Sequence, residues 1–425
     1  MEAGNITEEF PAITFPWGSV GSIGFPILIT VYAFLVLSIV CDEYFVPCIQ
    51  TLCKKLSLSE DVAAATLMAA GINAPELFTN LISTFYAEAD IGTGTVVGSG
   101  VFNVLAIPSV CILVSGMKII QLKDFPLTRD SLFYVASVTI LAYVIQDGKV
   151  SWYESLAMLM LYSLYILVMK YNLKLIEISE ECIGRRIQDG LPEDNIGVLS
   201  PLLPRKNKTP HVLESGTLPR SEIFTEIPFD QPARTWDTIV KMLTMLTYPV
   251  NLLLKITIPS CHNQANILLI LTFFMCGIWM ALLTYVIIWM ITILGMGLNI
   301  PHAVMGITFI AAGLSIPELV SSVIVAKQGL GSMALSNTIG SSIFGILVCM
   351  GLPWFLDASL IRSDHFTPIS SAGLDHSLFI LVISILIMYL LFCCNNFKLD
   401  MKIGLACLIM YALFITLFIY TEVKF

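Results

Sequence analysis

Charge is what this chain has least of. Only 12% of its 425 residues are Asp, Glu, Lys or Arg, whereas 56% are hydrophobic; soluble domains carry roughly twice that charged share. This scarcity excludes an ordinary water-soluble fold. The first ten residues, MEAGNITEEF, hold no Lys or Arg, so the basic start of a cleavable leader is missing and the first apolar run is expected to stay as a span. No basic cluster with interleaved aromatics occurs, which removes nucleic acid as a partner. The eleven cysteines include no C-x-x-C pair, and the five histidines have no metal-ligand spacing. Most cysteines sit in apolar runs, where they act as small hydrophobic residues; Cys393 and Cys394, at the end of a span, are open to acylation. No span carries an aspartate in a G-x-G-D context, which sets aside an intramembrane aspartyl protease. Neither enzyme chemistry nor a cofactor is expected.

Long apolar runs are there instead. Mean hydropathy is +0.84, and several runs near 20 residues suffice to cross a hydrocarbon core of ~30 Å as helix. The expected fold is an all-α membrane protein of ten transmembrane helices, at about 23–45, 61–86, 91–117, 131–147, 152–171, 265–294, 301–326, 332–356, 376–394 and 402–421. Residues 1–22 form an outer N-terminus. Two five-helix halves follow, 23–174 with a core motif at 61–117 and 265–425 with one at 301–356. Between them, 175–264 is a cytoplasmic loop. It contains DGLPEDNIGVLSPLLPRKNKTP, which reads as mostly disordered, and a surface-lying stretch near LTYPVNLLLKI.

Orientation follows from Lys and Arg between spans. With the N-terminus outside, 19 fall inside and only Lys149, Arg362 and Lys424 outside, as the positive-inside bias requires. The sequon at Asn5 then lies on the glycosylated side and the sequon at Asn207 on the bare side.

The two halves repeat. AAGINAPEL at 69–77 aligns with AAGLSIPEL at 311–319, an offset of 242. Glu76 meets Glu318, Pro75 meets Pro317 and Asn73 meets Ser315. At the same offset VVGSGVFNVL (96–105) meets TIGSSIFGIL (338–347), pairing Gly98 with Gly340, Ser99 with Ser341 and Phe102 with Phe344. Five spans separate the copies, and five is odd, so the second copy enters the membrane from the opposite face. Such inverted-topology repeats place an ion site at the midplane between broken helices.

A carboxylate at the bilayer centre costs at least ~2.5–3.5 kcal/mol on insertion scales. Two brought together repel; a divalent cation between them neutralises both. Calcium takes six to eight oxygens at about 2.3–2.6 Å. Glu76 and Glu318 supply up to four, and Asn73 and Ser315 add side-chain oxygens in the same turns. Pro75 and Pro317 each remove a helical N–H four residues after a glycine, so carbonyls around 70–73 and 312–315 are expected to turn toward the ion. Ser99 and Asn103 share a helix face on the partner span, with Ser341 at the matching place in the second copy. Close helix packing is the competing explanation for Ser99 and Ser341. Sodium suits the same hard oxygen set, and exclusive occupancy by one cation or the other makes an exchanger.

These motifs resemble the cation/calcium exchanger superfamily, and most closely the potassium-dependent sodium/calcium exchangers. The resembling stretches are CDEYFVP, SEDVAAATLMAAGINAPELFTNLIS, GTVVGSGVFNVL, MGITFIAAGLSIPELVSSVIVAKQGLG and SNTIGSSIFGILVCMGLPW. The resemblance implies ten helices, an outer N-terminus, a cytoplasmic central loop, and calcium and sodium carried by Glu76 and Glu318. Three departures stand out. Glu318 replaces an Asp, preserving charge; residues without hydroxyls stand at 72 and 314; and Gly345 replaces an Asp associated with potassium. The last implies that potassium coupling is weak or absent. Two other transport readings stay open, a calcium/proton exchanger and a divergent member with little transport, and a channel is less suited to mirrored broken helices. The host membrane is the plasma membrane or that of an organelle.

Overall fold

The computed structural model describes residues 18–55, 69–86, 89–115, 119–122, 124–171, 234–259, 266–298, 300–327, 331–362, 365–369 and 374–424. Both sequons and most of the central segment lie outside these residues. Among the described residues, eight helical stretches are long and apolar enough to cross a membrane, and Leu378–Cys394 forms a shorter apolar helix. The expected span 61–86 is described only from Ala69 onward.

In chain order the first half comprises α1 (Gly18–Ile39), α2 (Val46–Lys55), α3 (Ala69–Ile72), α4 (Ala74–Tyr86), α5 (Ala89–Val101), α6 (Ile107–Val114), α7 (Asp124–Ile145) and α8 (Trp152–Lys170). Then come α9 (Arg234–Thr257) and α10 (Asn266–Leu298). The second half continues with α11 (His302–Met305), α12 (Ala311–Lys327), α13 (Gly331–Phe344), α14 (Gly351–Leu356), α15 (Leu374–Cys394) and α16 (Met401–Lys424). Several neighbours are one rod with a π turn inside, as at Val40–Phe45 between α1 and α2, Phe102–Ala106 between α5 and α6, and Gly345–Met350 between α13 and α14. Phe102 and Phe344 align in the repeat, so two of these turns occupy matching places. A π turn inserts one residue and re-aims the side chains around it, which is why such turns gather at functional sites.

Four three-residue strands tie the halves together. β1 (Ile119–Gln121) pairs antiparallel with β4 (Lys398–Asp400), Ile120 opposite Leu399. β2 (Lys149–Ser151) pairs with β3 (Phe366–Pro368), Val150 opposite Thr367. Each ribbon joins one loop of the first half to one of the second. β2 runs directly into α8, whose start is closed by a capping box: Ser151 N–H and Oγ both reach the Glu154 carboxylate, at 2.9 and 2.5 Å. That satisfies donors a helix start otherwise leaves orphaned.

α9 refines the reading of the central segment. Its part from Arg234 is helical, and Pro249 lies inside it without breaking it. Leu254 and Ile258 are fully buried. Tyr32 donates to the Leu246 carbonyl, and the Trp279 indole donates to Thr257 Oγ1 at 3.0 Å. The stretch expected to lie on the surface keeps one face exposed, at Tyr248, Leu252 and Ile256, and packs the other against α1 and α10.

The core has two parts. One gathers side chains of α5 to α8 and α12 to α16, including Val101, Leu105, Tyr134, Ile343 and Leu347. The other gathers α1, α2, α4 and α10, including Leu37, Ile49, Ala74, Met280 and Ile288. α4 sits on the seam: Ala74 and Ile82 belong to the second core, while Leu77 packs against the first. A separate polar knot lies within the first core. Asp130 is fully buried, pairs with Arg129 at 2.7 Å, and accepts from Ser336 at 2.8 Å and Tyr165 at 3.3 Å, tying α7, α8 and α13.

Backbones approach closely where α5 crosses the π turn Gly306–Ile310. A Cβ on Gly98 would fall onto the Ile307 carbonyl, and backbone yields less readily than a side-chain tip. Gly98→Ala is therefore expected to destabilise the protein by about 1–3 kcal/mol, read as a lower melting temperature in detergent. Gly24→Ala, at a position with open space around it, is expected to leave that temperature unchanged.

Candidate cation site

Glu76 and Glu318 come together. Both are buried, at 5% and 6% exposure, and both line one cleft with Asn73, Pro75, Pro317 and Gly313. The local geometry follows from the prolines. α3 stops at Ile72, Asn73 forms a single turn, and α4 restarts at Ala74 with Pro75 in its first turn, where a missing N–H costs nothing. The i→i−4 ladder continues across the turn, from Asn73 N to Ala69 O and from Leu77 N to Asn73 O, both at 3.0 Å. The first copy is therefore nicked at one residue.

The second copy corrects the expectation of a broken helix. α12 runs unbroken from Ala311 to Lys327 with Pro317 inside it. One proline removes a single bond to the carbonyl four residues back, and the flanking turns hold the rod. The expected free carbonyl at Gly71 is also taken, because the Cys41 thiol donates to it at 3.4 Å. The Asn73 carbonyl accepts from Cys349 at 3.8 Å as well as from Leu77.

The remaining predicted residues form a mirrored set of contacts across the repeat. Asn103 Nδ2 donates to Glu318 Oε2 at 2.8 Å. Its mate at the same offset is Gly345, where an added Cβ would stand 2.9 Å from Glu76 Oε2. Each position thus faces the glutamate of the opposite copy, and only the first carries a side chain to touch it. Ser341 donates to Asn73 Oδ1 at 2.5 Å. The mates of that pair are Ser99 and Ser315. Ser99 turns instead to the Val96 carbonyl, at 3.2 Å, and to the Glu76 carboxylate. Ser315 is 1% exposed, and its hydroxyl has no hydrogen-bond partner among the described residues. Asn103 Oδ1, on the amide that donates to Glu318, is likewise buried without a partner among the described residues. Unpaired buried acceptors are costly, and the Asn103 amide that carries one is the group that donates to Glu318. That pattern of spare neutral oxygens beside paired acids fits a hard cation. Among the described residues no group of three acidic, histidine or cysteine side chains converges, so amides, hydroxyls and carbonyls would have to complete the shell.

Sequence reasoning missed α1. Phe34, Leu37, Ser38, Cys41 and Asp42 form one wall of the cleft. Their spacing of three and four puts them on a single helix face. Ser38 donates to Asp42 at 3.2 Å. An Asp four residues after a Ser inside an apolar span was the available signal.

The two serines make a contrast. Removing the Ser315 hydroxyl loses no hydrogen bond, so Ser315→Ala is expected to leave the ion-free melting temperature unchanged or raise it. Ser341→Ala strands Asn73 Oδ1 in the interior and is expected to cost about 1–3 kcal/mol. Differential scanning fluorimetry in chelator separates the two.

The sodium/calcium exchanger protein profile matches residues 26–171 and 268–420. The human sodium/potassium/calcium exchanger 3 is 32% identical, over 95% of this chain and 81% of that protein. The human sodium/potassium/calcium exchanger 5 is 34% identical, over 90% of this chain and 80% of that protein. The crystal structure of the H+/Ca2+ exchanger CAX superposes with a TM-score of 0.54 at 11% identity, covering 96% of this chain and 87% of that one; at that identity the likeness speaks to the fold alone. This chain is a multi-pass membrane protein belonging to the sodium/calcium exchanger protein family, within the cation/calcium exchanger superfamily.

Proposed function

We propose that the protein is a secondary antiporter that exchanges calcium for sodium across its membrane by alternating access, with weak or absent potassium coupling. The observation that carries this reading is the meeting of Glu76 and Glu318 in one cleft, each faced by a matched position of the other half. The names of the relatives, sodium/potassium/calcium exchangers, supply the ion class.

The architecture in this reading is two inverted repeats of five spans. Three observations support it. One family profile matches both halves. The two strand ribbons exchange roles under the repeat, β1 corresponding to β3 and β2 to β4, so that β1–β4 maps onto β3–β2. The Asn103–Glu318 contact has its counterpart in Gly345 over Glu76. With the N-terminus outside and the central loop in the cytosol, the two ribbons lie on opposite membrane faces.

The cycle needs no covalent step. Calcium between Glu76 and Glu318 neutralises two charges that otherwise repel at short range in a poorly solvated interior. Asn73, Ser99, Asn103, Ser315 and Ser341 contribute or orient neutral oxygens. Sodium ions replace calcium at the same carboxylates, and the emptied pair resists moving between faces. Gly345 bears on potassium directly. An Asp there would place a third carboxylate against Glu76 and favour a further monovalent cation; glycine leaves that space without an oxygen ligand.

Reconstituted vesicles test the reading. An imposed sodium gradient is expected to drive calcium uptake without potassium and without a pH gradient. Glu76→Gln and Glu318→Gln are each expected to abolish uptake in folded protein, and Gly345→Asp to create potassium dependence. Uptake that requires potassium on the calcium side would refute the Gly345 argument. Uptake driven by pH alone would favour a calcium/proton exchanger, and no uptake at all a non-transporting member.

A further inference from the structure

The wall of the cleft supplied by α1 is polar at one end and aromatic at the other. Phe34 and Asp42 are eight residues apart on one helix face, about 12 Å along the axis. At the aromatic end, a Cβ on Gly313 would fall into the Phe34 ring. Gly313 precedes Glu318 by five residues on α12. At the polar end, Cys41 touches the Gly71 carbonyl, and Gly71 precedes Glu76 by five residues. Asp42 lines the cleft there, half-buried and held by Ser38. Glu43, its neighbour, is exposed and is not part of the cleft lining. The π turn Val40–Phe45 begins two residues before Asp42, so the extra residue of that turn sits where the acid must aim at the cleft.

We propose that Asp42 is a recruiting carboxylate of the ion path, which attracts cations to the cytosolic mouth of the site while Phe34 seals the outer end. This rests on the exchange reading given above and on its orientation. With the N-terminus outside, α1 descends toward the cytosol, so Phe34 lies on the outer side and Asp42 on the inner. α3 and α4 rise from the cytosol, placing Gly71 on the inner side of Glu76. α12 descends, placing Gly313 on the outer side of Glu318. All three helices therefore assign the same end to each residue. A fixed negative charge in a low-dielectric mouth raises the local cation concentration by a Boltzmann factor that depends on ion valence. The factor for a divalent ion is the square of that for a monovalent ion.

The test uses full-length protein in oriented vesicles, with apparent affinities for calcium and sodium measured separately at each face. Asp42→Asn is expected to weaken cytosolic sodium affinity by roughly threefold and cytosolic calcium affinity by about ninefold, with maximal rate nearly unchanged and outer-face affinities untouched. Both losses are expected to shrink as ionic strength rises and the Debye length falls. Asp42→Glu, which keeps the charge, is expected to restore most of the affinity, and Glu43→Gln to match the unmodified protein. Equal losses at both faces would overturn the proposal and make Asp42 a ligand in the central site. So would equal losses for sodium and calcium, or no change at all. A lack of exchange in the unmodified protein would instead sink the underlying functional reading.

Discussion

Two glutamates lie buried among apolar helices, line one cleft and have lost most of their water, and this constraint organises the rest of the molecule. An apolar pair in the same place would pack without difficulty. Glutamates there need neutral oxygens close by, and buried acceptors without partners are tolerated only where something else satisfies them. Ser315 and Asn103 Oδ1 are such acceptors. Asn103 also donates to Glu318, so its spare oxygen lies on the residue that holds that carboxylate.

The two copies of the motif solve the problem differently. In the first copy the helix is nicked at Asn73, and the Gly71 carbonyl released by Pro75 is taken up by Cys41. In the second copy α12 stays whole, and its serine hydroxyl is left spare. Asn103 reaches Glu318 from the opposite copy, while the matching position facing Glu76 is Gly345, which has no side chain to reach it. The site is thus symmetric in backbone and asymmetric in chemistry.

Much of this was legible in the sequence because proline, glycine and glutamate are rare neighbours within apolar runs, and their recurrence at a constant offset has few explanations. The helical, membrane-spanning class follows from hydropathy, and the repeat pattern singles out Glu76, Glu318 and Asn73, which line one cleft. Three things were not legible. The contribution of α1 depends on how a distant helix docks against the seam, and Asp42 had no counterpart in the repeat to single it out. The continuity of α12 through Pro317 depends on how neighbouring helices hold the rod. The capture of the Gly71 carbonyl by Cys41 depends on a tertiary contact thirty residues away. Local chemistry predicts which groups are freed, and packing decides who receives them.

The central claim is that one calcium ion sits between Glu76 and Glu318 and is displaced by sodium. Anomalous difference density at long wavelength, from crystals grown in calcium without sodium, tests it most directly. The account predicts a single peak between the two carboxylates, about 2.3–2.6 Å from their oxygens, and its loss in crystals grown in sodium alone. A calcium peak elsewhere in the protein, with both glutamates uncontacted, would contradict it.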